Sequence, residues 1–200
     1  MTPEISKSVE ISEAAQNSKF ADCPLGRAAE WRNFDGGMEK YDAPIQRGDL
    51  PFLPKENGRW EGSQGDSKWC PDPGYTPLPK REGYNNPDGM KWDDIFKKYD
   101  ISGITFSDGE PDFSPVGRGS VEIENFSASR TDNFDKADIA LAEHKGCSPA
   151  EVAAWRRENG YTWHECRDQR TMIKAPHEVH ANIPHSGGIA AAKKGNGELL

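Results

Sequence analysis

The sequence predicts a small, loop-rich α+β fold, and three observations indicate it. Segments in which apolar and polar residues alternate, typical of half-buried strands, occur among segments with three- and four-residue apolar spacing, typical of helices. Hydrophobic residues make up only 34% of the 200 residues and the mean hydropathy is −0.87, which predicts a small core. The 15 prolines and 20 glycines predict long irregular connections.

The chain is predicted to divide near residue 55. Residues 1–55 are expected to form a partly disordered leader and linker. Residues 56–86 are rich in turn formers, and Trp60 and Trp69 are expected to plug the side of a small core. A single domain is predicted over residues 56–200, with an irregular, strand-rich support (56–130), two helices (131–160) and a C-terminal motif (161–194).

A short amphipathic helix is predicted over residues 88–99. Trp92, Ile95, Phe96 and Tyr99 recur there at three- and four-residue steps, so they share one face. The elements predicted after it are a strand at 101–106, a turn at 109–112 and a strand at 121–126.

Two helices are predicted next. The first runs over residues 133–145 and ends at Gly146. The second has a strong start signal, because Ser148 can cap it, Pro149 suits the first helical position and Glu151 completes a capping box. It is expected to end at Gly160 and to lead directly into a strand.

A β-hairpin followed by a helix is predicted at the C-terminal end. Four of the five histidines fall between residues 164 and 185. His164 would lie on the first strand and a second strand would follow over 171–174. His177 and His180 would lie on a helical turn, and His185 on it or just after it. The hairpin can hold one imidazole against two others from the helix, so that three or four ligands converge on one ion. The fold class therefore includes a C-terminal ββα-metal motif.

Metal-assisted phosphodiester hydrolysis is the chemistry that this cluster favours. Neutral imidazoles around an open coordination position suit a catalytic divalent ion, which polarises a phosphoryl oxygen while a nearby base activates water. A zinc-protease helix is disfavoured, because it needs histidines four residues apart and His177 and His180 are three apart.

Short motifs accompany the histidines. The more specific ones are Trp163-His164-Glu165, Asp168, Thr171-Met172, Pro176, Val179-His180 and His185-Ser186-Gly187-Gly188; the less specific ones are 111–114, 121–123, Arg130 and 133–137. This pattern resembles the HNH/endonuclease VII superfamily of His-metal finger nucleases, and in particular the polymorphic-toxin subfamilies named for a Trp-His-His or Trp-His-Glu motif. The resemblance covers roughly residues 56–194.

The resemblance implies a set of roles. His164 matches the first motif histidine, a metal ligand or the general base, and His180 and His185 match the two later ligands. Glu165 stands where many relatives have a second histidine, so either Glu165 is the base or His164 is the base and Glu165 a ligand or orienting group. One divalent ion is implied, with Mg, Mn, Ni and Zn all open.

The other candidates have supporting or binding roles. Trp163 is expected to pack under the site, Asp168 to close the hairpin turn, and His177 to lie at the surface or behind the ligands. Four basic residues could hold phosphates: Arg130, Arg167, Arg170 and Lys174.

DNA is the favoured substrate and RNA stays open. The net charge of −8 disfavours a protein that coats DNA more than a nuclease that contacts a few phosphates. Residues 151–200 are close to neutral, with seven Lys/Arg against six Asp/Glu. A different class of function is also kept, namely a non-catalytic interaction module in which Cys166 would help to close a structural metal site.

The expected setting is that of a delivered bacterial toxin. The four cysteines form no CxxC pair and are expected to be reduced thiols. No signal peptide is expected in the polar opening residues, and no apolar run is long enough for a membrane span. By resemblance, the protein would be made in the bacterial cytoplasm, delivered into a target cell as a secretion-system effector, and neutralised by a cognate immunity protein.

Overall fold

The computed structural model describes residues 52–78 and 85–195. Within these ranges the fold is α+β, as predicted, with two antiparallel sheets and five α-helices. The predicted leader lies outside the described residues, apart from residues 52–55. No helix in the described ranges is both long and apolar enough to cross a membrane.

The first sheet lies in the N-terminal half of the domain and has the order β1-β2-β3-β4. The turn-rich reading of residues 56–86 missed its first two strands, because strands of three and four residues are too short to show an alternating pattern. The predicted turn at 109–112 is also corrected, since the turn lies at 108–109. The strands are β1 (Gly58–Trp60), β2 (Lys68–Pro71), β3 (Ile104–Ser107) and β4 (Glu110–Pro111).

Tryptophans fill the side of this sheet, as predicted. Trp69 is buried, and the ring centroid of Trp60 lies 5.3 Å from that of Trp69 and 5.0 Å from that of Phe106. These aromatic contacts give a small sheet a large buried area.

The second sheet has the order β5-β7-β6, so that β6 is an edge strand. Asp168 closes the β6–β7 hairpin as predicted, because its Oδ1 accepts the backbone N–H groups of Arg170 and Thr171 at 2.9 and 2.7 Å. The strands are β5 (Ser120–Glu122), β6 (Tyr161–Glu165) and β7 (Thr171–Pro176).

The helices follow the predicted order. The predicted capping box of the third helix is present in both directions between Ser148 and Glu151. The second helix begins three residues earlier than predicted, because the Ser129 side chain caps it. The helices are α1 (Trp92–Tyr99), α2 (Arg130–Lys145), α3 (Pro149–Glu158), α4 (His177–His180) and α5 (Gly188–Gly195).

The second sheet separates two hydrophobic cores. Ile173 and Ala175 pack on one side with residues of the first sheet and α1, whereas Trp163 and Met172 pack on the other side with α2 and α3. Successive side chains of a strand point to opposite faces. Neighbouring residues on β6 therefore enter different surroundings.

Free thiols are found at the three described cysteines, Cys70, Cys147 and Cys166. This confirms the expectation of reduced cysteines for the described part of the chain.

Candidate metal centre

Three histidines from three different segments converge on one side of β6. His164 lies on β6, His180 is the last residue of α4, and His185 lies in the loop before α5. Their ring centroids are 4.8–5.3 Å apart, and one nitrogen of each lies within 4.8 Å of the others. The sequence predicted this same set of residues.

Phe113 forms the floor beneath the three imidazoles. Its side chain is fully buried, and its ring centroid lies 4.9 Å from that of His164, 5.1 Å from that of His180 and 5.3 Å from that of His185. Sequence analysis did not assign it this role, although the segment 111–114 carried part of the resemblance. One aromatic side chain, Phe113, thus packs against all three imidazole rings.

The two glycines after His185 let its loop approach the end of β6 closely. A Cβ on Gly187 would lie 2.8 Å from the carbonyl oxygen of Glu165, and a Cβ on Gly188 would lie 2.4 Å from that of Cys166. Backbone oxygens cannot move aside as a flexible side chain can. Any larger residue would therefore push this loop, and His185 with it, away from His164.

The donor set fits a divalent ion. His164 Nδ1 and His180 Nε2 are 3.2 Å apart, close to the separation of about 3.3 Å between two imidazole nitrogens on one tetrahedral zinc. His185 Nδ1 donates to the carbonyl oxygen of Ile183 at 2.7 Å, so in the neutral imidazole the lone pair lies on Nε2. Burial, and then the neighbouring His185 and His164, lower the pKa of His180 well below its usual range, so this imidazole is neutral, as a ligand must be.

Glu165 lies on the opposite face of β6, against α2. Its carboxylate accepts a hydrogen bond from Asn133 Nδ2 at 3.0 Å on Oε1 and one from Arg130 Nε at 3.1 Å on Oε2. Burial raises its pKa, while the hydrogen bond from Asn133 and the charge of Arg130 act in the other direction. Glu165 is not in the convergent group that the three histidines form among the described residues.

Asn133 fixes this carboxylate from the first turn of α2. It is fully buried, and its side chain also donates to the Ser127 carbonyl and accepts from the Ser127 N–H, both at 2.9 Å. Sequence analysis gave Asn133 no role of its own. The available signals were the resemblance of the segment 133–137 and a short polar residue at an inward position of a predicted helix.

The two faces meet in a cleft of about 410 Å³ that runs over the edge strand. The imidazoles and the Glu165 carboxylate both line it, and Arg130 and His177 lie at its walls as sequence-predicted residues that the structure brings together. Lys193 of α5, which sequence analysis did not select, also lines it. The remaining lining comes from Phe52, Phe134, Thr162, Trp163, Ala181, 183–184, 186–187 and 189–190.

Three of the predicted phosphate-binding residues do not line this cleft. Arg167 donates to the Asp108 carbonyl at 2.7 Å, and Arg170 pairs with Glu122 at 2.6 Å on the exposed surface. Lys174 requires a correction, because its side chain is 0% exposed and its Nζ lies 4.3 Å above the Trp155 ring. The alternation of side chains places it on the face of β7 that packs against α2 and α3, so it cannot reach a substrate phosphate in this structure.

The Trp163 side chain lies on the face of β6 opposite His164. It is buried, and its Nε1 donates to Asp138 Oδ1 at 2.8 Å. Asp138 in turn forms an ion pair with Arg156 at 2.7 Å. This chain of contacts attaches β6 to both α2 and α3.

Cys166 does not complete the histidine set. Its sulfur converges with His164 and Glu110, whereas no convergent group among the described residues joins it to His180 and His185. Burial raises the pKa of its thiol far above the usual range. A protonated, buried thiol is a poor metal ligand.

Residues 103–187 match the family model described as the DNase/tRNase domain of colicin-like bacteriocin. The matched range runs from the start of β3 to the loop after α4 and includes the three histidines and Glu165. A search of curated proteins gave no match. The family match supports a nuclease toxin domain and, with it, a nucleic-acid substrate.

Proposed function

We propose that this chain is a metal-dependent endonuclease of the His-metal finger (HNH) type that hydrolyses phosphodiester bonds in DNA as the toxin domain of a delivered effector. One observation carries the proposal: three histidines converge in a cleft whose opposite wall holds a buried carboxylate beside an arginine. The similarity to DNase/tRNase domains of colicin-like bacteriocins supports the nuclease part.

His164, His180 and His185 would hold one divalent ion. His164 would use Nδ1 and His180 Nε2, because these atoms face each other at 3.2 Å. His185 would use Nε2, because its Nδ1–H is engaged by the Ile183 carbonyl. When bound, such an ion polarises a phosphoryl oxygen and stabilises the leaving alkoxide.

Glu165 is the general base in this proposal, and His164 is a ligand. The support is geometric, since Glu165 lies across the strand from the three histidines and both of its oxygens are held by α2. The carboxylate takes a proton from a water in the cleft, the water oxygen attacks phosphorus, and the bond to the leaving oxygen breaks. A raised pKa makes the carboxylate a better proton acceptor than an ordinary surface glutamate.

Arg130 would bind the phosphate next to the base. Its side chain is 61% exposed even though it contacts the buried Glu165, so the guanidinium can reach both the carboxylate and solvent in the cleft. Arginine suits this position because its planar fork of donors matches phosphate oxygens. Lys193 at the cleft wall adds a second positive charge.

RNA is the alternative substrate, because the description of the matched family includes tRNases. A structural metal site in a non-catalytic module is the less favoured alternative, since it needs a fourth protein ligand and Cys166 does not converge with His180 and His185. The colicin-like match also supports delivery into a target cell and neutralisation by an immunity protein. The domain would span residues 56–200, following the linker.

Cleavage assays on the purified protein test the function. Plasmid DNA and RNA are incubated separately with Mg²⁺, Mn²⁺, Ni²⁺ or Zn²⁺ and with chelator, using the wild type, H164A, H180A and H185A, with H144A as the matched control. We expect metal-dependent cleavage that each of the three variants lowers by roughly a thousandfold, since the ion supplies several kcal/mol of transition-state stabilisation. Cleavage that survives all three changes contradicts the proposal.

A further inference from the structure

We propose that Glu110 is a positioning residue of this metal centre: its carboxylate accepts a hydrogen bond from Nε2–H of His164 and so directs the Nδ1 lone pair of that imidazole towards the ion. The inference rests on the metal site of the proposed function. It assigns a role to a residue outside the histidine cluster, on a strand of the other sheet.

His164 Nε2 is a buried polar atom in need of an acceptor. The residue is only 1% exposed, and Nε2 has no hydrogen-bond partner among the described residues. A neutral imidazole carries one N–H and one lone pair. Because Nδ1 faces His180 Nε2, the tautomer that can bind an ion there carries its proton on Nε2.

The Glu110 carboxylate is placed to accept a hydrogen bond from this N–H. Its Oε1 lies 3.8 Å from His164 Nε2, so an approach of about 1 Å would form a hydrogen bond. Metal-bound histidines commonly donate their other N–H to a carboxylate, which fixes the ring and strengthens the ligand. The sulfur of Cys166, the third member of this group, is a weak acceptor by comparison.

Two hydrogen bonds hold this carboxylate beside His164. Glu110 Oε1 accepts the backbone N–H of Arg167 at 2.7 Å, and the Arg167 guanidinium donates to the Asp108 carbonyl at 2.7 Å. These two bonds join the β3–β4 turn to the β6–β7 turn. The acceptor for His164 is therefore held by the first sheet, which gives that sheet a direct part in the metal site.

Zinc affinity of the full-length, metal-free protein, measured by calorimetry, tests the role. We expect E110A to bind Zn²⁺ 10- to 100-fold more weakly, the usual cost of losing such a partner. E110Q should lose less, because its amide oxygen can still accept from Arg167 and from His164 but carries no charge. The control E143A removes an exposed carboxylate near the far end of α2 and should bind as the wild type does.

The tautomer of His164 distinguishes the two roles, because it should not change if Glu110 only stabilises the fold. In NMR spectra of ¹⁵N-histidine-labelled wild type, with and without Zn²⁺, we expect the proton on Nε2 of His164; in E110A the metal-free protein should become a mixture of tautomers. A proton on Nδ1 in the wild type, or a zinc affinity of E110A within twofold of the wild type, overturns the proposal.

The two proposals can fail separately. If the wild type binds zinc but cleaves neither DNA nor RNA, the nuclease function fails, and the affinity series still tests Glu110. If the wild type binds no metal, both proposals fail. If E110A does not fold, E110Q and the wild-type tautomer decide.

Discussion

The two faces of strand β6 differ in how they are built. On one face, His164 meets His180, His185 and Phe113, which come from three separate segments. On the other, Glu165 is held by residues from the first turn of a single helix. One face is thus built from several segments of the chain and the other from one helix terminus.

This difference separates two roles that the sequence places side by side. His164 and Glu165 are adjacent in the chain, yet the pleat of the strand sends them to opposite faces. We infer that one face holds the ion and the other the base, with the cleft joining them over the strand edge. If the roles are separate, a substitution on one face should leave the function of the other intact.

Phe113→Ala is expected to have the largest effect on stability. The fully buried ring contacts all three histidines, so its loss should lower the free energy of unfolding by about 3–5 kcal/mol and weaken zinc binding by the folded protein. Urea unfolding and calorimetry measure the two quantities. Phe96→Ala is the control, since it also truncates a buried aromatic of the same core and should leave zinc affinity unchanged; equal zinc loss in both would contradict a specific role for Phe113.

Asn133→Ala should damage the other face. It removes the hydrogen bond to Glu165 Oε1, so we expect cleavage to fall by about 10- to 100-fold, corresponding to about 1.4–2.7 kcal/mol, with zinc affinity unchanged. Stability should drop by about 1–3 kcal/mol, because the bonds to Ser127 are also lost. Asn159→Ala, at an exposed helix end, is the control. A parallel loss of zinc affinity would show that the faces are not separate.

Lys174→Met should have the smallest effect, a gain in stability of about 1–3 kcal/mol at neutral pH. Burial lowers the pKa of Lys174 to about 6, far below its value in the unfolded chain, so the wild type loses stability as pH falls from about 10.5 towards 6. The advantage of the methionine variant should therefore be largest near pH 6–7 and shrink towards pH 10. Urea unfolding at several pH values checks this.

Lys97→Met is the matched control, since that side chain is 72% exposed and its removal should not change the pH dependence. Zinc affinity should be unchanged in both variants. A Lys174→Met protein that is less stable than the wild type across the whole range would contradict the account.

Much of the fold could be predicted from local sequence signals. The capping box at Ser148 and Glu151, the Asp168 turn and the β6–β7 hairpin depend on neighbouring residues, and they appear as predicted. The convergence of His164, His180 and His185 could be predicted because all three lie within one hairpin-and-helix unit.

Long-range contacts explain what the sequence did not reveal. Glu110 and Phe113 lie about fifty positions before His164 in the chain. No local pattern marks Glu110, and Phe113 was indicated only by the resemblance of the segment 111–114. The burial of Lys174 follows from its place on the face of β7 that packs against α2 and α3. The sequence around it does not show which face that is. The strands at 58–60 and 68–71 are too short for a readable alternation.

Glu165→Gln tests the central claim most directly. The change keeps the shape of the side chain and the contacts to α2 can partly persist, while the proton acceptor is lost. If Glu165 is the base on a face separate from the ion, cleavage should fall by about 10²- to 10⁴-fold, while zinc affinity, measured by calorimetry on the same preparation, stays within about threefold of the wild type. A variant that cleaves normally, or one that loses zinc together with activity, would contradict the division of roles between the two faces of β6.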